Sequence, residues 1–253
     1  VPRVETLDSR VLPASVTASG GTVVIDGGSG RDAIAIVDNG TGQVGNLTVT
    51  VNGKTQVPPV AADAVQITAG GGNDVVSYRL AGPMTGTAMR ITTKLGPGHN
   101  RFRATIAADL QAGADLTFDT RGGADADLIQ LSALAGVDIA RGAGLTFDAR
   151  GNGGPDRIGT TYSGRIDGAL FESLHGNQGD DTLFSVVAPD RGSRGTFVAN
   201  QFGGADDDDL GVVFGQPVAG PSGGIIDGGT GFNRSTQSAG IQVSDVQQSF
   251  TLF

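Results

Sequence analysis

The sequence predicts an all-β chain wound as a right-handed parallel β-helix, a solenoid of about eight rungs of ~26 residues with an N-terminal hairpin cap. Three observations carry that expectation. A glycine-rich turn ending in an acid or its amide recurs at Asp32, Asp74, Asn100, Asp127, Asp156, Asp181, Asp208 and Asn233, at intervals of 42, 26, 27, 29, 25, 27 and 25 residues. Two positions after each of these stands an apolar residue (Ile34, Val76, Phe102, Ile129, Ile158, Leu183, Leu210), with Ser235 as the exception. No stretch sustains helical spacing over three turns, whereas Arg101–Ile106 alternates polar and apolar residues as a half-buried strand does.

Residues 1–14 show neither strand nor helix period and read as a leader, leaving 15–253 as one solenoid domain. Within it, 15–60 is expected to cap the stack and 61–253 to form the regular rungs. The β-branched runs Thr22–Ile25 and Ala33–Val37 flank the most regular turn, Gly27–Asp32. Leu47–Val51, Asn52-Gly53 and Lys54–Val57 form the clearest hairpin signal, because Asn-Gly takes the twisted two-residue turn that joins antiparallel strands. A hairpin here would cover the open end of the first coil. Leu116-Thr117-Phe118 and Leu145-Thr146-Phe147 are near-copies one period apart, and Val137-Asp138-Ile139 reads as a weaker third strand in each rung. A last strand pair is expected at 241–243 and 250–253, with the chain one module of a longer protein.

Composition narrows the function. The 43 glycines and the absence of cysteine and tryptophan suit a narrow, turn-rich coil and exclude disulfides and thiolate metal sites. The net charge of −9 comes almost wholly from aspartate, the acid of turns and strand ends. Nucleic acid is not expected as a partner, since the acidic balance repels phosphate and the arginines are scattered singly. No apolar run is long enough to span a membrane.

Gly27, Gly28, Gly30 and Asp32 resemble the G-G-x-G-x-D turn of the RTX, or hemolysin-type, calcium-binding repeat; Gly228, Gly229 and Gly231 match it too, with Asn233 in the acid's place. The resemblance implies Ca²⁺ held between stacked turns by carbonyls and aspartates, with Asp32, Asp74, Asp127, Asp156, Asp180, Asp181, Asp206 and Asp208 as the metal candidates. The turns at 176–181 and 203–209 carry the most charge. Unlike the tandem nonapeptides of that family, this chain has one such turn per longer rung. A metal-free alternative is that each aspartate accepts hydrogen bonds from turn N–H groups. The segment Val4-Glu5-x-Leu7-Asp8-x-Arg10-x-Leu12-Pro13-Ala14 resembles the LE-x-R-x-LPA segment of planctomycete-type extracellular proteins, which implies export or surface sorting.

Catalytic candidates are few. Glu172 falls at the slot filled by Phe118 and Phe147 in earlier rungs, and Tyr162 and His175 belong to the same rung. An inward carboxylate is costly, so a one-residue slip placing Phe171 inward is the expected remedy. Asp119 and Asp148, with Arg121 and Arg150, are expected to form an exposed ladder of alternating charge. The expected function is a secreted or surface-displayed calcium-binding solenoid with a structural, adhesive or scaffold role. Extracellular polysaccharide or a cell-surface protein would be its partner. The alternative is a carbohydrate-active β-helix that cleaves or binds a glycan.

Overall fold

The structure, a computed structural model, describes residues 14–215 and 219–237. The leader, apart from Ala14, and the expected strand pair at 241–243 and 250–253 lie outside these residues. All regular structure among the described residues is β, and stacked parallel strands form a β-solenoid.

The chain begins with β1 (Ser15–Ser19) and β2 (Thr22–Asp26), crosses the first glycine turn into β3 (Ala33–Asp38), and makes the hairpin of β4 (Leu47–Val51) and β5 (Lys54–Gln56). It then alternates between two sheets through β6 (Ala64–Thr68), β7 (Val75–Leu80), β8 (Ala88–Lys94), β9 (Arg101–Ile106), β10 (Asp115–Arg121) and β11 (Leu128–Ala133). The alternation continues with β12 (Gly144–Asn152), β13 (Arg157–Gly164), β14 (Ala169–Gln178), β15 (Thr182–Pro189), β16 (Thr196–Ala205) and β17 (Asp209–Phe214). Three short strands follow: β18 (Ser222–Gly223), β19 (Ile226–Thr230) and β20 (Arg234–Gln237). Sheet 1 runs β1-β2-β6-β8-β10-β12-β14-β16-β18, with β19 also on β16; sheet 2 runs β20-β17-β15-β13-β11-β9-β7-β3-β4-β5.

Pairing is parallel throughout the stack and antiparallel only beside β2 and β3, where β1 and the β4–β5 hairpin cover the two sheet edges. β1 and β5 are then the terminal strands at this end, and at five and three residues they leave only a short row of free N–H and C=O groups for another chain to join. Asn52, with φ of 50°, makes the hairpin turn with Gly53 and also ties it to the neighbouring glycine turn. Its Oδ1 accepts from Ala33 N at 2.9 Å and its Nδ2 donates to Asp32 Oδ1 at 2.6 Å. Asn52→Ala is therefore expected to cost about 2 kcal/mol, read as a lower thermal midpoint, because it removes both bonds and the residue tolerant of positive φ.

The core lies between the sheets and follows the predicted register. Val23, Val65, Ile91, Phe118 and Phe147 align across sheet 1. Ile34, Val76, Phe102, Ile129, Ile158, Leu183 and Leu210 align across sheet 2, and all are buried. Phe118 meets Tyr78, Phe102 and Phe147 edge-on, with ring centroids 5.2, 6.2 and 6.3 Å apart. Such pairs add to the burial energy of the rings.

The expected third strand at Val137–Ile139 is not one. The return arcs align only through single-residue bridges joining Met84, Leu110, Ile139 and Ile166. Positive-φ glycines at 136 and 142 bend the chain on either side, so no extended run can form. Side chains bridge the arcs instead: Asp109 Oδ1 accepts from Asp138 N at 2.9 Å, and Asp138 Oδ1 from Arg165 N at 2.9 Å. Asp167 Oδ1 accepts from Arg194 N at 3.1 Å.

Candidate functional site

The glycine turns carry the chain from sheet 1 to sheet 2, and the acid of each turn stands just before the strand of sheet 2. There its side chain turns inward. Asp32, Asp74, Asn100, Asp127, Asp156, Asp181, Asp208 and Asn233 are all buried, none more than 5% exposed. From Asp74 onward, each Oδ1 accepts a hydrogen bond from the backbone N–H of the corresponding residue one turn earlier, at 2.7–2.9 Å. The backbone carbonyls of Asp32 through Asp208 meanwhile accept from the first residue of the next strand in sheet 2. At the N-terminal end the ladder finishes on Asn52, whose side chain serves Asp32.

The second oxygen distinguishes the rungs. Asn100 uses its Nδ2 to donate to the carbonyls of Gly96 and Gly98, at 2.9 and 2.8 Å, and Asn233 donates to Gly228 O at 2.8 Å. Asp127 Oδ2 accepts from Gly123 N at 2.7 Å. Oδ2 of Asp32, Asp74, Asp156, Asp181 and Asp208 is buried without a hydrogen-bond partner. Gly203 and Gly228 are equivalent by register, so Asp208 brings Oδ2 against its turn where Asn233 brings a donor. An ionised carboxylate is the wrong group for that position; a protonated one, or one bridged by a cation, is the right one.

Electrostatics agrees with the geometry. Burial pushes the Asp156 carboxyl up to about 8, with Asp181 and Asp127 adding repulsion and the bond from Asp127 N opposing. Burial likewise raises Asp181 to about 7 and Asp208 to about 6, helped in both cases by the charges of Asp180 and Asp206. Asp74 and Asp127 are raised by burial too.

Asp180 and Asp206 belong to a different group, exposed on the rim of the turns. Asp206 Oδ2 accepts from Gly179 N at 3.0 Å and Asp180 Oδ1 from Asp207 N at 3.1 Å. Asp125 does the same for Gly98 N at 2.8 Å, and Asp207 for Phe232 N at 2.8 Å. The eight metal candidates therefore divide into an inner column of six and an outer pair. Among the described residues no group of three or more His, Cys, Asp or Glu is arranged around a common metal position.

The catalytic candidates are not brought together. Glu172 does face the core, at 2% exposure, aligned with Phe147, while Phe171 points outward at 42%. The expected slip does not occur, because the ladder holds the turn that follows β14 and a one-residue slip would turn every other side chain inside out. Both Glu172 oxygens lack a hydrogen bond, and burial raises the carboxyl to about 7, eased by the nearby hydroxyls of Ser185 and Thr160. His175 lies on the opposite face of β14, bonded to Ser173 Oγ at 2.9 Å and stacked on Phe202 at 4.7 Å. The Tyr162 hydroxyl is buried and donates to backbone carbonyls, those of Val137 at 2.7 Å and Arg165 at 3.0 Å. The Asp119 and Asp148 ladder forms as expected, with Arg121 and Arg150 pairing at 3.5 and 3.4 Å.

Sequence reading missed the acid bridges of the return arcs and the buried Asp38, which accepts from the Tyr78 hydroxyl at 2.7 Å. Neither lies in a glycine turn, although the recurrence of Asp109, Asp138 and Asp167 at nearly the same period was available as a signal. Comparison with protein-family models, with curated proteins and with solved structures finds no match.

Proposed function

We propose that this chain is a structural solenoid, secreted or displayed on a cell surface, that serves as a scaffold or adhesive rod. The observation that carries the reading is the unbroken ladder from Asn52 to Asn233, in which the acids that most resembled ligands are committed to backbone N–H groups of the fold itself. The three catalytic candidates lie on separate faces, which favours this reading over an enzyme. Export rests on the resemblance of the segment at 4–14. In this account Asp74, Asp156, Asp181 and Asp208, whose carboxyls burial raises, keep their protons to higher pH than an ordinary carboxylate, up to about 8, 7 and 6 for the last three. While protonated, the Oδ2–H of each donates to a turn carbonyl as Asn100 and Asn233 do.

Calcium is the second reading, favoured by the same five orphaned oxygens. Ca²⁺ takes 6–8 oxygen ligands, so each ion would need turn carbonyls as well as carboxylates from neighbouring rungs. Asp32, Asp74, Asp156, Asp181 and Asp208 would supply the inner oxygens. Thermal melting at neutral pH in millimolar CaCl₂ against EDTA separates the two. An unchanged midpoint is expected for the neutral ladder. A rise of several degrees in calcium would assign the ion, because a ligand of the folded state adds about 2.7 kcal/mol at a hundredfold excess over its dissociation constant.

A further inference from the structure

The outer faces of the two sheets differ in how their arginines are used. On sheet 1, Arg90, Arg121 and Arg150 are all paired with Asp119 or Asp148, at 3.4–3.5 Å. On sheet 2, Arg79, Arg101, Arg103 and Arg157 point outward and are exposed, and Arg31 flanks them from the first turn. Among the described residues none of these five has an ion-pair partner. Strands β7, β9, β11, β13 and β15 contain no Asp or Glu. In a chain of net charge −9, this is a segregated cationic face.

The face is also shaped. Arg103, Gln130, Ser132, Gly159, Thr161 and Phe184 line a groove of about 180 Å³. Gly159 has no side chain to fill it, and the Phe184 ring lies over that glycine. The Arg157 guanidinium stands 5.1 Å from the ring centroid. Arg101 also borders a wider hollow of about 530 Å³ reaching to Arg31 and His99. From β7 to β15 the face spans about 19 Å, four strand steps. Arg101 and Arg157 share a register column two strands apart, about 10 Å, with Arg103 about 7 Å along the strand from Arg101.

We propose that the outer face of sheet 2 binds a linear anionic polysaccharide, its carboxylate or sulfate groups on Arg101, Arg103 and Arg157 and its sugar rings in the groove beside Phe184. Unpaired guanidiniums spaced along the rod match a polymer with regularly repeated single charges. Gln130 offers an amide to sugar hydroxyls, and Ser132 and Thr161, whose hydroxyls bond each other at 2.6 Å, keep one hydroxyl proton and further acceptor positions between them. Nucleic acid fits less well, since Phe184 is laid on Gly159 rather than projecting to stack a base. Ladder residues Asp74, Asn100 and Asp127 line the wider hollow, whereas the groove of Arg103 and Phe184, which carries the proposal, includes none of them.

The test is isothermal titration of the full chain with polygalacturonate, with heparin as the sulfated counterpart, dextran as the neutral one and single-stranded DNA as the competitor. Binding of polygalacturonate or heparin is expected at about 50 mM salt and is expected to weaken steeply towards 200 mM. The triple variant R101Q/R103Q/R157Q should lose at least about tenfold in affinity, while R121Q/R150Q on sheet 1 should bind as the parent does. A triple variant that melts early is replaced by Arg103→Gln alone, at an exposed site without an ion pair; loss of affinity there, with R121Q/R150Q unaffected, supports the proposal equally. No binding of either polyanion at low salt would overturn the proposal. So would equal affinity of parent and arginine variants, equal binding of dextran, or tighter binding of DNA than of both glycans.

Discussion

Raising the pH from 4 to 9 is expected to destabilise this solenoid, the reverse of what carboxylates held in ion pairs do. Asp156, Asp181 and Asp208 hold protons more tightly in the fold, up to about 8, 7 and 6, than an ordinary aspartate does at 3.8. A folded state that binds more protons than the unfolded chain loses stability as pH rises. The contribution is complete below about pH 4, declines through the three folded values and is gone above about pH 8. At about 1.4 kcal/mol per unit, and allowing for the coupling of adjacent acids, the total is on the order of 5 kcal/mol, or roughly 10–20 °C in the midpoint. Thermal melts across this range check the slope. A midpoint that rises between pH 5 and 8 in EDTA would reject the neutral ladder.

Substitution sharpens the same prediction. Asp156→Asn should raise the midpoint at pH 8 and leave it nearly unchanged at pH 4, since the amide keeps the acceptor for Asp127 N and adds a donor where Oδ2 stands alone. Asp156→Ala should lower it at both pH values by about 2 kcal/mol, because it strands a buried N–H. If calcium occupied the turn, the asparagine variant would instead lose stability in calcium at pH 8. Asn100 and Asn233 are the native version of this change, and Asn100 interrupts the acid column between Asp74 and Asp127.

The second large effect is expected at the stacked glycines. Gly98, with φ of 111°, lies so close over the turn beneath it that an added Cβ would strike the Gly72 carbonyl and come within 3.0 Å of Asn73 Oδ1. Gly142, with φ of 78°, has nothing within 4 Å of the same atom. Gly142→Ala should cost about 1–2 kcal/mol from backbone conformation alone. Gly98→Ala should cost at least about 3 kcal/mol, because backbone must shift in two turns at once. Equal midpoint losses in the two variants would mean that the turns are not in contact as described.

These contacts explain what could be read from the amino acids and what could not. The period, the inward apolar columns and the Asn52-Gly53 hairpin were legible because each is a local pattern repeated or strongly typed. The burial of all eight turn residues follows from their fixed offset to those columns. The fates of Oδ1 and Oδ2 were not legible, since they depend on how one turn lies over the next. Asp180 and Asp181 are neighbours in sequence, yet one is on the rim and the other in the interior. Glu172 misled for a related reason: its local cost argues for a slip, but the ladder ahead of it resists one. The third strand failed because Val137-Asp138-Ile139 carries strand-like residues between two glycines that bend the path.

The ladder also has a direction. Each turn's N–H is satisfied by the carboxyl or amide of the turn that follows, so a stack halted at any rung ends on a donor that the next coil has yet to pair and cover. Asn52 satisfies the acceptor end from within the hairpin, leaving the deficit at the advancing end alone. Winding this rod therefore resembles closing a zipper from a fixed stop. Every partial state has an exposed front, and each added coil moves that front onward without abolishing it.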